Sequence, residues 1–326
     1  MASRKTDAEK RCSTMNFATI DVGSNSILLL IATLTPDGKI RPLIEKAEIT
    51  RLSEKMNDTG ILIPEAMERT LKVLRKYTDL CHRNQVDRII CIGTEGMRRA
   101  KNAQDFVQRV AELCGFKLEI ISGTKEAELA YLSAMLDFGE KYPNLVVLDI
   151  GGGSTELIWK TEQNGNTAKL QTLSMKMGSV RLTEEFLKTD PIVQSEYTAL
   201  RHHIDEKLKN HLSTLQGPQG PMTLVGLAGT VTTLSSIDQK LSPYDPNKIQ
   251  GAVLSQNSVK EIIRKLKERN LEEKKKMTGM EPKRADVLLA GASILDCAMT
   301  QLGVHEVIVS DRGIRYGLFY QRFTSD

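Results

Sequence analysis

Hydrophobic and polar residues alternate along the chain with two periods, which predict strands and helices in turn. FATID (17–21) and ILLLIATL (27–34) are rich in β-branched and aliphatic residues and predict two strands joined by the turn VGSNS (22–26). A third strand is expected at about 43–52. From Pro64 the apolar positions are spaced by four and three residues, which predicts an amphipathic helix with proline in its first turn. These positions are Met67, Leu71, Leu74, Thr78 and Cys81.

The same order of elements is predicted twice. Asp149 follows 128 residues after Asp21, a distance of about one domain. The length of 326 residues also indicates two domains, because single cores stop growing at about 250 residues. The first half continues with strands at 88–93 and 116–122 and helices at 106–113 and 124–138. The second half has strands at 145–150, 155–160, 170–175, 222–227 and 305–310, helices at 194–215, 230–238, 255–269 and 284–302, and a terminal helix.

The charge balance indicates which kinds of binding partner to expect. Lys and Arg number 45 and Asp and Glu number 41, which gives a formal net charge of +4. This surplus argues against a protein that coats nucleic acid, yet it suits an anionic substrate where positive charge is concentrated. Between Lys260 and Arg284 there are ten Lys and Arg against five Glu. This segment, which contains Lys274, Lys275 and Lys276, is either a track for a polyanion or a solvated helix face and turn.

Cysteine usage and hydropathy indicate a cytoplasmic protein. The five cysteines are odd in number, widely spaced and without a C-x-x-C motif, which favours neither disulfides nor a zinc site. The longest apolar run, ILLLIA (27–32), has six residues, whereas a membrane span needs about 20. The polar segment 1–16 lacks the apolar core of a signal peptide, and we expect a flexible tail there.

Two glycine-rich turns, VGSNS (22–26) and GGGST (151–155), connect predicted strands. A Walker A loop and a dinucleotide-binding loop both lie between a strand and a helix and have other spacings, so both are excluded. Glycines without Cβ atoms let the backbone approach an anion and direct several N–H groups at it, and Ser and Thr hydroxyls extend such a cradle. The turns therefore predict phosphate binding, with a simple tight β-turn as the alternative.

Carboxylates flank both turns. Asp149 precedes the three glycines and Glu156 follows them, while Asp21 has the equivalent place before the first turn. Mg²⁺ prefers one or two carboxylates together with waters and phosphate oxygens, so Asp149 and Glu156 are candidate ligands beside a bound phosphate. The alternative is a turn cap or a surface carboxylate.

Eight segments, taken together and in this order, resemble the motifs of one family. The segments are ATIDVGSNS (18–26), GTEGMRRA (93–100), ISGTKEAELAY (121–131), VLDIGGGSTEL (147–157), MGSVRLTEEF (177–186), LAGTVTT (227–233), GMEPKRADVLLAGASIL (279–295) and VSDRGIRYG (309–317). The family is that of exopolyphosphatases and guanosine pentaphosphate phosphohydrolases, within the actin-like superfamily.

The resemblance implies an α/β fold of two ribonuclease H-like domains that face each other across a cleft. Domain I is expected at 17–124, completed by the C-terminal helix at 312–326, and domain II at 125–311. Longer relatives carry extra helical domains after the second one. This chain is similar to the short, two-domain form.

The resemblance also implies roles for individual residues. Glu126 matches the catalytic general base, although Lys125 stands at a neighbouring position that is often acidic in relatives, and Arg98 matches a catalytic arginine. Asp149 and Glu156 match the Mg²⁺ ligands, with Mn²⁺ as a second candidate ion. From the residues alone, Glu126 is better explained as a carboxylate that is stabilised at a helix N-terminus than as a catalytic base. The expected phosphate-binding residues are Asp21, Gly23, Ser24, Asn25, Ser26, Gly151, Gly152, Gly153, Ser154, Thr155, Gly229 and Thr230.

Three functions follow as hypotheses. The first is a metal-dependent hydrolase that removes the terminal phosphate of inorganic polyphosphate, or the 5′-γ phosphate of guanosine pentaphosphate, a nucleotide of the stringent response. The second is a small-molecule kinase of the same superfamily, and the third is a phosphate-ligand sensor without turnover. We expect a homodimer, with neither nucleic acid nor a membrane as partner.

Overall fold

Two β-sheets, each covered by helices, form the molecule. The computed structural model describes residues 15–324, except residues 36, 143, 164–165 and 214–220. Residues 1–14 of the predicted tail 1–16 lie outside the described residues. The predicted end of the tail is wrong, because Asn16 already pairs with Thr33 in the first sheet. Within the described residues, no helix has the length and apolar character of a membrane span.

The first half of the chain forms a five-stranded sheet with helices. The sheet has the order β3-β2-β1-β4-β5, in which β1, β2 and β3 are antiparallel and β4 and β5 run parallel to β1. The elements are β1 (Asn16–Val22), β2 (Ser26–Leu34), β3 (Ile40–Ile49), α1 (Met56–Thr59), α2 (Pro64–Arg83), β4 (Val86–Gly93), α3 (Glu95–Arg99), α4 (Ala103–Cys114), β5 (Leu118–Ile120) and α5 (Gly123–Phe138).

The second half repeats this arrangement and adds one edge strand. The order β8-β7-β6-β9-β11 corresponds to the order of the first sheet, and β10 pairs antiparallel with β11 at the edge. The elements are β6 (Leu145–Ile150), β7 (Thr155–Gln163), β8 (Asn166–Met175), α6 (Ser179–Phe186), α7 (Gln194–Leu212), β9 (Thr223–Leu227), α8 (Ala228–Asp238), α9 (Pro246–Ile249), β10 (Val253–Ser255), α10 (Gln256–Lys267), α11 (Leu271–Lys275), a 3₁₀ turn (Pro282–Arg284), α12 (Leu288–Leu302), β11 (Glu306–Val309) and α13 (Gly313–Phe323).

The repeat predicted from Asp21 and Asp149 is confirmed residue by residue. Asp21 lies opposite Leu28 in the β1–β2 hairpin, and Asp149 lies opposite Glu156 in the β6–β7 hairpin. The two ribonuclease H-like units therefore place their first hairpin turns at equivalent positions. Leu28 stands where the second unit has Glu156, so only the second hairpin carries a carboxylate on both strands.

Burial of apolar side chains holds the two sheets together through two helices. The first sheet packs on α2 and α4, and the second packs on α7, α8, α10 and α12. A further cluster joins α5 and α13 to strands of both sheets, through Ile92 of β4, Val147 of β6 and Ile308 of β11. This shared cluster holds α5 and α13 against strands of both sheets.

Candidate active site

The two glycine-rich turns have the same local structure. Gly23 N–H donates to the carbonyl of Ser26 at 3.0 Å, and Gly151 N–H donates to the carbonyl of Ser154 at 3.0 Å. The prediction that each turn joins two strands is thus confirmed. The turns also face each other, because a Cβ built on Gly152 would lie 3.4 Å from the Cβ of Asn25.

A cavity of about 870 Å³ opens between the two sheets at these turns. Its walls also include strand β3, the segment 275–284 and the beginning of α8. Most of the residues predicted from the sequence line it. They are Asp21, Gly23, Ser24, Asn25, Ser26, Glu126, Asp149, Gly151, Gly152, Gly153, Ser154, Glu156 and Gly229.

Four carboxylates in this cavity influence one another's charge. Burial, followed by the charge of Glu126, raises the pKa of Asp21 to about 7. The pKa of Asp149 rises to about 7 through burial and the charges of Glu126 and Asp21. Glu156 reaches a pKa of about 8 through burial and the charges of Asp149 and Glu126. The cluster therefore favours a bound cation, since ionised carboxylates repel one another in a site with little water.

The carboxylates of the cavity fit a divalent metal ion whose remaining coordination positions are filled by other oxygens. Oδ1 of Asp21 is buried and has no hydrogen-bond partner within the described ranges, whereas Oε1 of Glu156 accepts a bond from Ser174 Oγ at 2.9 Å. No group of three or more His, Cys, Asp or Glu in the described part of the chain is arranged to hold a metal by itself. Mg²⁺ takes one or two carboxylates and fills its other positions with water and phosphate oxygens, so Asp149, Glu156 and Asp21 offer ligands of the kind that it prefers.

Glu126 is positioned by its helix and by Arg98. It lies in the first turn of α5, where Ser122 caps the helix by accepting a hydrogen bond from Lys125 N–H at 3.1 Å. Nη1 of Arg98 donates to the Glu126 carboxylate and also to the carbonyl of Ile121, at 3.1 Å from the latter. Burial raises the pKa of Glu126, and Arg98 opposes that rise through its charge and its hydrogen bond. Arg98 does not line the cavity, so in this structure it acts on Glu126.

Two predicted phosphate ligands and one predicted track residue lie elsewhere. The hydroxyl of Thr155 donates to the carbonyl of Met177 at 2.6 Å, and Thr230 packs against Gly291 of α12, so neither side chain lines the cavity. Lys274 is buried, at 4 % exposure, with its ammonium 4.0 Å from Asp190. A track through Lys274 is therefore wrong, whereas Lys275 and Lys276 do line the cavity.

Sequence reasoning gave Arg284 no role of its own beyond its place in the basic segment, yet this residue lines the main cavity. Its Nη2 donates to Ser26 Oγ of the first hairpin turn at 3.0 Å, although 258 residues separate the two. Gly229 makes room for it, because a Cβ there would meet the guanidinium carbon at 2.1 Å. The signal was present, since Arg284 belongs both to the segment 279–295 and to the basic stretch that ends there.

Comparison with known proteins places the chain in a family. The model of the Ppx/GppA phosphatase family matches residues 31–326. The chain belongs to this family. Exopolyphosphatase 2 of Mycobacterium tuberculosis is 32% identical over 313 residues, which cover 92% of this chain and 96% of that protein. A bifunctional 3-dehydroquinate synthase/phosphatase of Fusobacterium nucleatum is also similar, at 32% identity over 90% of this chain and 44% of that protein.

Solved structures of the family share the fold. The Aquifex aeolicus Ppx/GppA family member superposes with a TM-score of 0.77 at 34% identity, and covers 95% of this chain and 98% of its own. An exopolyphosphatase-like protein superposes with a TM-score of 0.83 at 27% identity, over 94% of this chain and 97% of that one. Two actin-like units across a cleft are therefore the architecture of this Ppx/GppA member.

Proposed function

We propose that the protein is an exopolyphosphatase, which hydrolyses the terminal phosphoanhydride bond of inorganic polyphosphate and takes the 5′-γ phosphate of guanosine pentaphosphate as a second target. The observation that carries this proposal is the pair of facing glycine turns with four interacting carboxylates between them. Relatives named exopolyphosphatase, which match over nine-tenths of the chain, support the choice of substrate.

The first hairpin turn supplies donors for phosphate oxygens. Nδ2 of Asn25 is buried and has no hydrogen-bond partner among residues that the structure describes. A buried donor without a partner costs about 1–3 kcal/mol, which a bound phosphate oxygen would offset. Ser24, Ser26 and Ser154 place hydroxyls at the same cavity, and Arg284 contributes positive charge beside Ser26. Substrate binding is therefore assigned to residues from both units.

Glu126 acts as the general base. The oxygen of a water attacks the terminal phosphorus, the bond from that phosphorus to the bridging oxygen breaks, and the shortened chain leaves with the electron pair of that bond. The proton of the water passes to the Glu126 carboxylate, which Arg98 holds in place and whose ionised form the guanidinium favours against the effect of burial.

A divalent ion would be held by Asp149 and Glu156 of the second unit, and Asp21 of the first unit lines the same cavity, with an oxygen that has no hydrogen-bond partner among the described residues. When bound, Mg²⁺ neutralises charge on phosphate oxygens, and Mn²⁺ shares the preference for oxygen ligands. We assign Asp21 to the ion and not to the phosphate, because a carboxylate repels phosphate and no described residue donates a hydrogen bond to its buried Oδ1.

We further propose that the protein is a cytoplasmic homodimer that binds neither nucleic acid nor a membrane. The net charge of +4 is small for a nucleic-acid coat. Buried thiols at Cys81, Cys91, Cys114 and Cys297 suit a reducing compartment. Sedimentation equilibrium of the full chain tests the dimer, since a monomer of 36.3 kDa would contradict it.

Orthophosphate release tests the proposed function. Long polyphosphate, tripolyphosphate, guanosine pentaphosphate and ATP are compared side by side, first with Mg²⁺ and then with EDTA. The proposal predicts release from polyphosphate that stops in EDTA and restarts when Mg²⁺ is added. Phosphate transfer to an added hydroxyl acceptor, without release in water alone, would favour a kinase instead.

A further inference from the structure

The cavity residue Arg284 belongs to a segment with little regular structure. In the described residues 276–287, between α11 and α12, the only regular element is the 3₁₀ turn Pro282–Arg284. Hydrogen bonds in a 3₁₀ turn have poorer geometry than those in an α-helix, so a short turn holds its side chains less firmly. Arg284 nevertheless reaches Ser26 Oγ of the first unit at 3.0 Å. Contacts from outside the turn are therefore needed to fix the direction of this side chain.

Arg51, which follows β3 in the first unit, makes such contacts on both sides of Arg284. Its Nη2 donates to the carbonyl of Lys283 at 2.8 Å. Its Nη1 and Nη2 also donate to Oδ2 and Oδ1 of Asp286, at 2.8 and 3.0 Å. Two parallel hydrogen bonds between a guanidinium and a carboxylate fix the orientation of both groups. Arg51 thus holds the residue before Arg284 and the second residue after it.

The backbone of Arg51 is attached to the first hairpin turn. The N–H groups of Thr50 and Arg51 both donate to the carbonyl of Asn25, at 3.0 and 2.9 Å. Nε of Arg69 in α2 donates to the carbonyl of Thr50 at 3.0 Å, which holds the same stretch from behind. Arg51 has a φ of 50°, a left-handed conformation that a non-glycine residue keeps only where its surroundings impose it. One residue therefore connects the first hairpin turn with the segment that carries Arg284.

Exposure distinguishes a positioning role from a stabilising one. The side chains of Arg51 and Asp286 are 39% and 32% exposed, and ion pairs with this much solvent contact add little to folding stability. Strained backbone conformations are concentrated at functional sites, where a fixed geometry matters more than stability. The strained backbone of Arg51, which supports an ion pair of little value to stability, therefore points to positioning.

We propose that Arg51 is a positioning residue that, through Lys283 and Asp286, holds Arg284 against the first hairpin turn, where the Arg284 guanidinium contacts a substrate phosphate. Arg51 does not line the main cavity, so it acts on the substrate through Arg284. The inference rests on the proposed function, because it places a phosphate of the substrate between the hairpin turns and Arg284.

Binding of a triphosphate that cannot be hydrolysed tests the positioning role. The probe is bis(methylene)triphosphate, in which CH₂ groups replace both bridging oxygens, and its affinity is measured by calorimetry with Mg²⁺. Arg284→Gln should weaken binding about ten-fold or more, the usual loss for a charge-assisted hydrogen bond and its cation. Arg51→Gln and Asp286→Asn should each weaken it several-fold.

The decisive measurement is Arg51→Gln in the Arg284→Gln background. There it should change the affinity no further, because the guanidinium that Arg51 positions is absent. A general structural role would weaken binding by the same factor in both backgrounds, since independent effects add in free energy. Equal losses in the two backgrounds, or no loss from Arg51→Gln in the wild type, would overturn the positioning role.

Arg109→Gln is the matched control, since Arg109 of α4 pairs with Glu68 within the first unit and does not line the main cavity. Its affinity should equal that of the wild type, and its thermal unfolding should coincide with that of Arg51→Gln.

Turnover of polyphosphate separates this inference from the proposed function. A protein that shows the expected coupling but releases no orthophosphate from polyphosphate would refute the proposed function and leave the positioning role intact. A protein that hydrolyses polyphosphate but shows equal losses in both backgrounds would refute the positioning role alone. If the wild type does not bind the triphosphate, the placement of a phosphate beside Arg284 is wrong, and the positioning role with it.

Discussion

Glu126 and Arg98 form the pair on which the proposed chemistry depends. The carboxylate is partly buried, with 14 % of its side chain exposed, and Arg98 holds it from the side away from the cavity. A base in this position has two opposing influences on its pKa, since burial disfavours the ionised form and the guanidinium favours it. The balance between them sets the pH at which the base becomes protonated.

Replacement of Arg98 by methionine should therefore move the acid limb of the kcat profile to higher pH. The variant loses the influence that lowers the pKa of Glu126 and keeps burial, which raises it. Since a general base works only when deprotonated, the rate is lost as pH falls through that pKa, now at higher pH. We expect a shift of about one pH unit or more at saturating Mg²⁺, measured from about pH 5 to about pH 9.

The control for this profile is Arg109→Met, whose acid limb should coincide with that of the wild type. A lower kcat in Arg98→Met with an unmoved acid limb would mean that Arg98 does not act on Glu126.

At the scale of elements, helix α11 brings positive charge to the rim of the main cavity. Lys275 and Lys276 line the cavity at the end of α11, and Lys46 of β3 and Lys283 of the 3₁₀ turn lie on its wall. Asn270 begins the helix with a capping box that Glu273 completes. Lys274 points into the protein toward Asp190, so the three consecutive lysines do not act together. A long polyanion would meet Lys275 and Lys276 on leaving the cavity.

Substitution of Lys275 and Lys276 by glutamine should raise KM for long polyphosphate and flatten its salt dependence. Each lysine that contacts the polyanion releases counterions on binding, so its loss removes part of the salt effect. Tripolyphosphate is too short to reach the rim and should be affected much less. The matched control is the double variant Lys260→Gln with Lys265→Gln in α10, which also removes two positive charges. Neither of these residues lines the cavity. Equal changes in both double variants would favour a general charge effect.

Periodicity predicted the elements that are long and missed those that are short. The seven-residue strand β1 and the twenty-residue helix α2 have clear patterns, and both form as expected. Strand β10 (Val253–Ser255) has only three residues, too few for an alternation, and only its last residue falls within a predicted element, the helix at 255–269. The helix expected from residue 284 begins at Leu288, because Pro282–Arg284 forms a 3₁₀ turn first.

At the scale of the whole molecule, contacts across the cleft connect residues far apart in the chain. Arg51 donates to both carboxylate oxygens of Asp286, at 2.8 and 3.0 Å, and to the carbonyl of Lys283 at 2.8 Å. Because 235 residues separate Arg51 from Asp286, no local sequence pattern could predict this ion pair. The motifs could name Glu126 and Asp149 as site residues, but the charged groups that shift their pKa values, such as Arg98 for Glu126 and Asp21 for Asp149, are brought close only by the fold.

The central claim is that water attacks polyphosphate in the main cavity with Glu126 as the base. The most direct measurement follows orthophosphate released from long polyphosphate in H₂¹⁸O with Mg²⁺, by mass spectrometry. The claim predicts one ¹⁸O atom in each orthophosphate, and a rate that falls about 10²–10⁴-fold in Glu126→Gln while polyphosphate affinity stays nearly unchanged. Orthophosphate without ¹⁸O, or a Glu126→Gln variant that keeps more than about half of the wild-type rate, would contradict it.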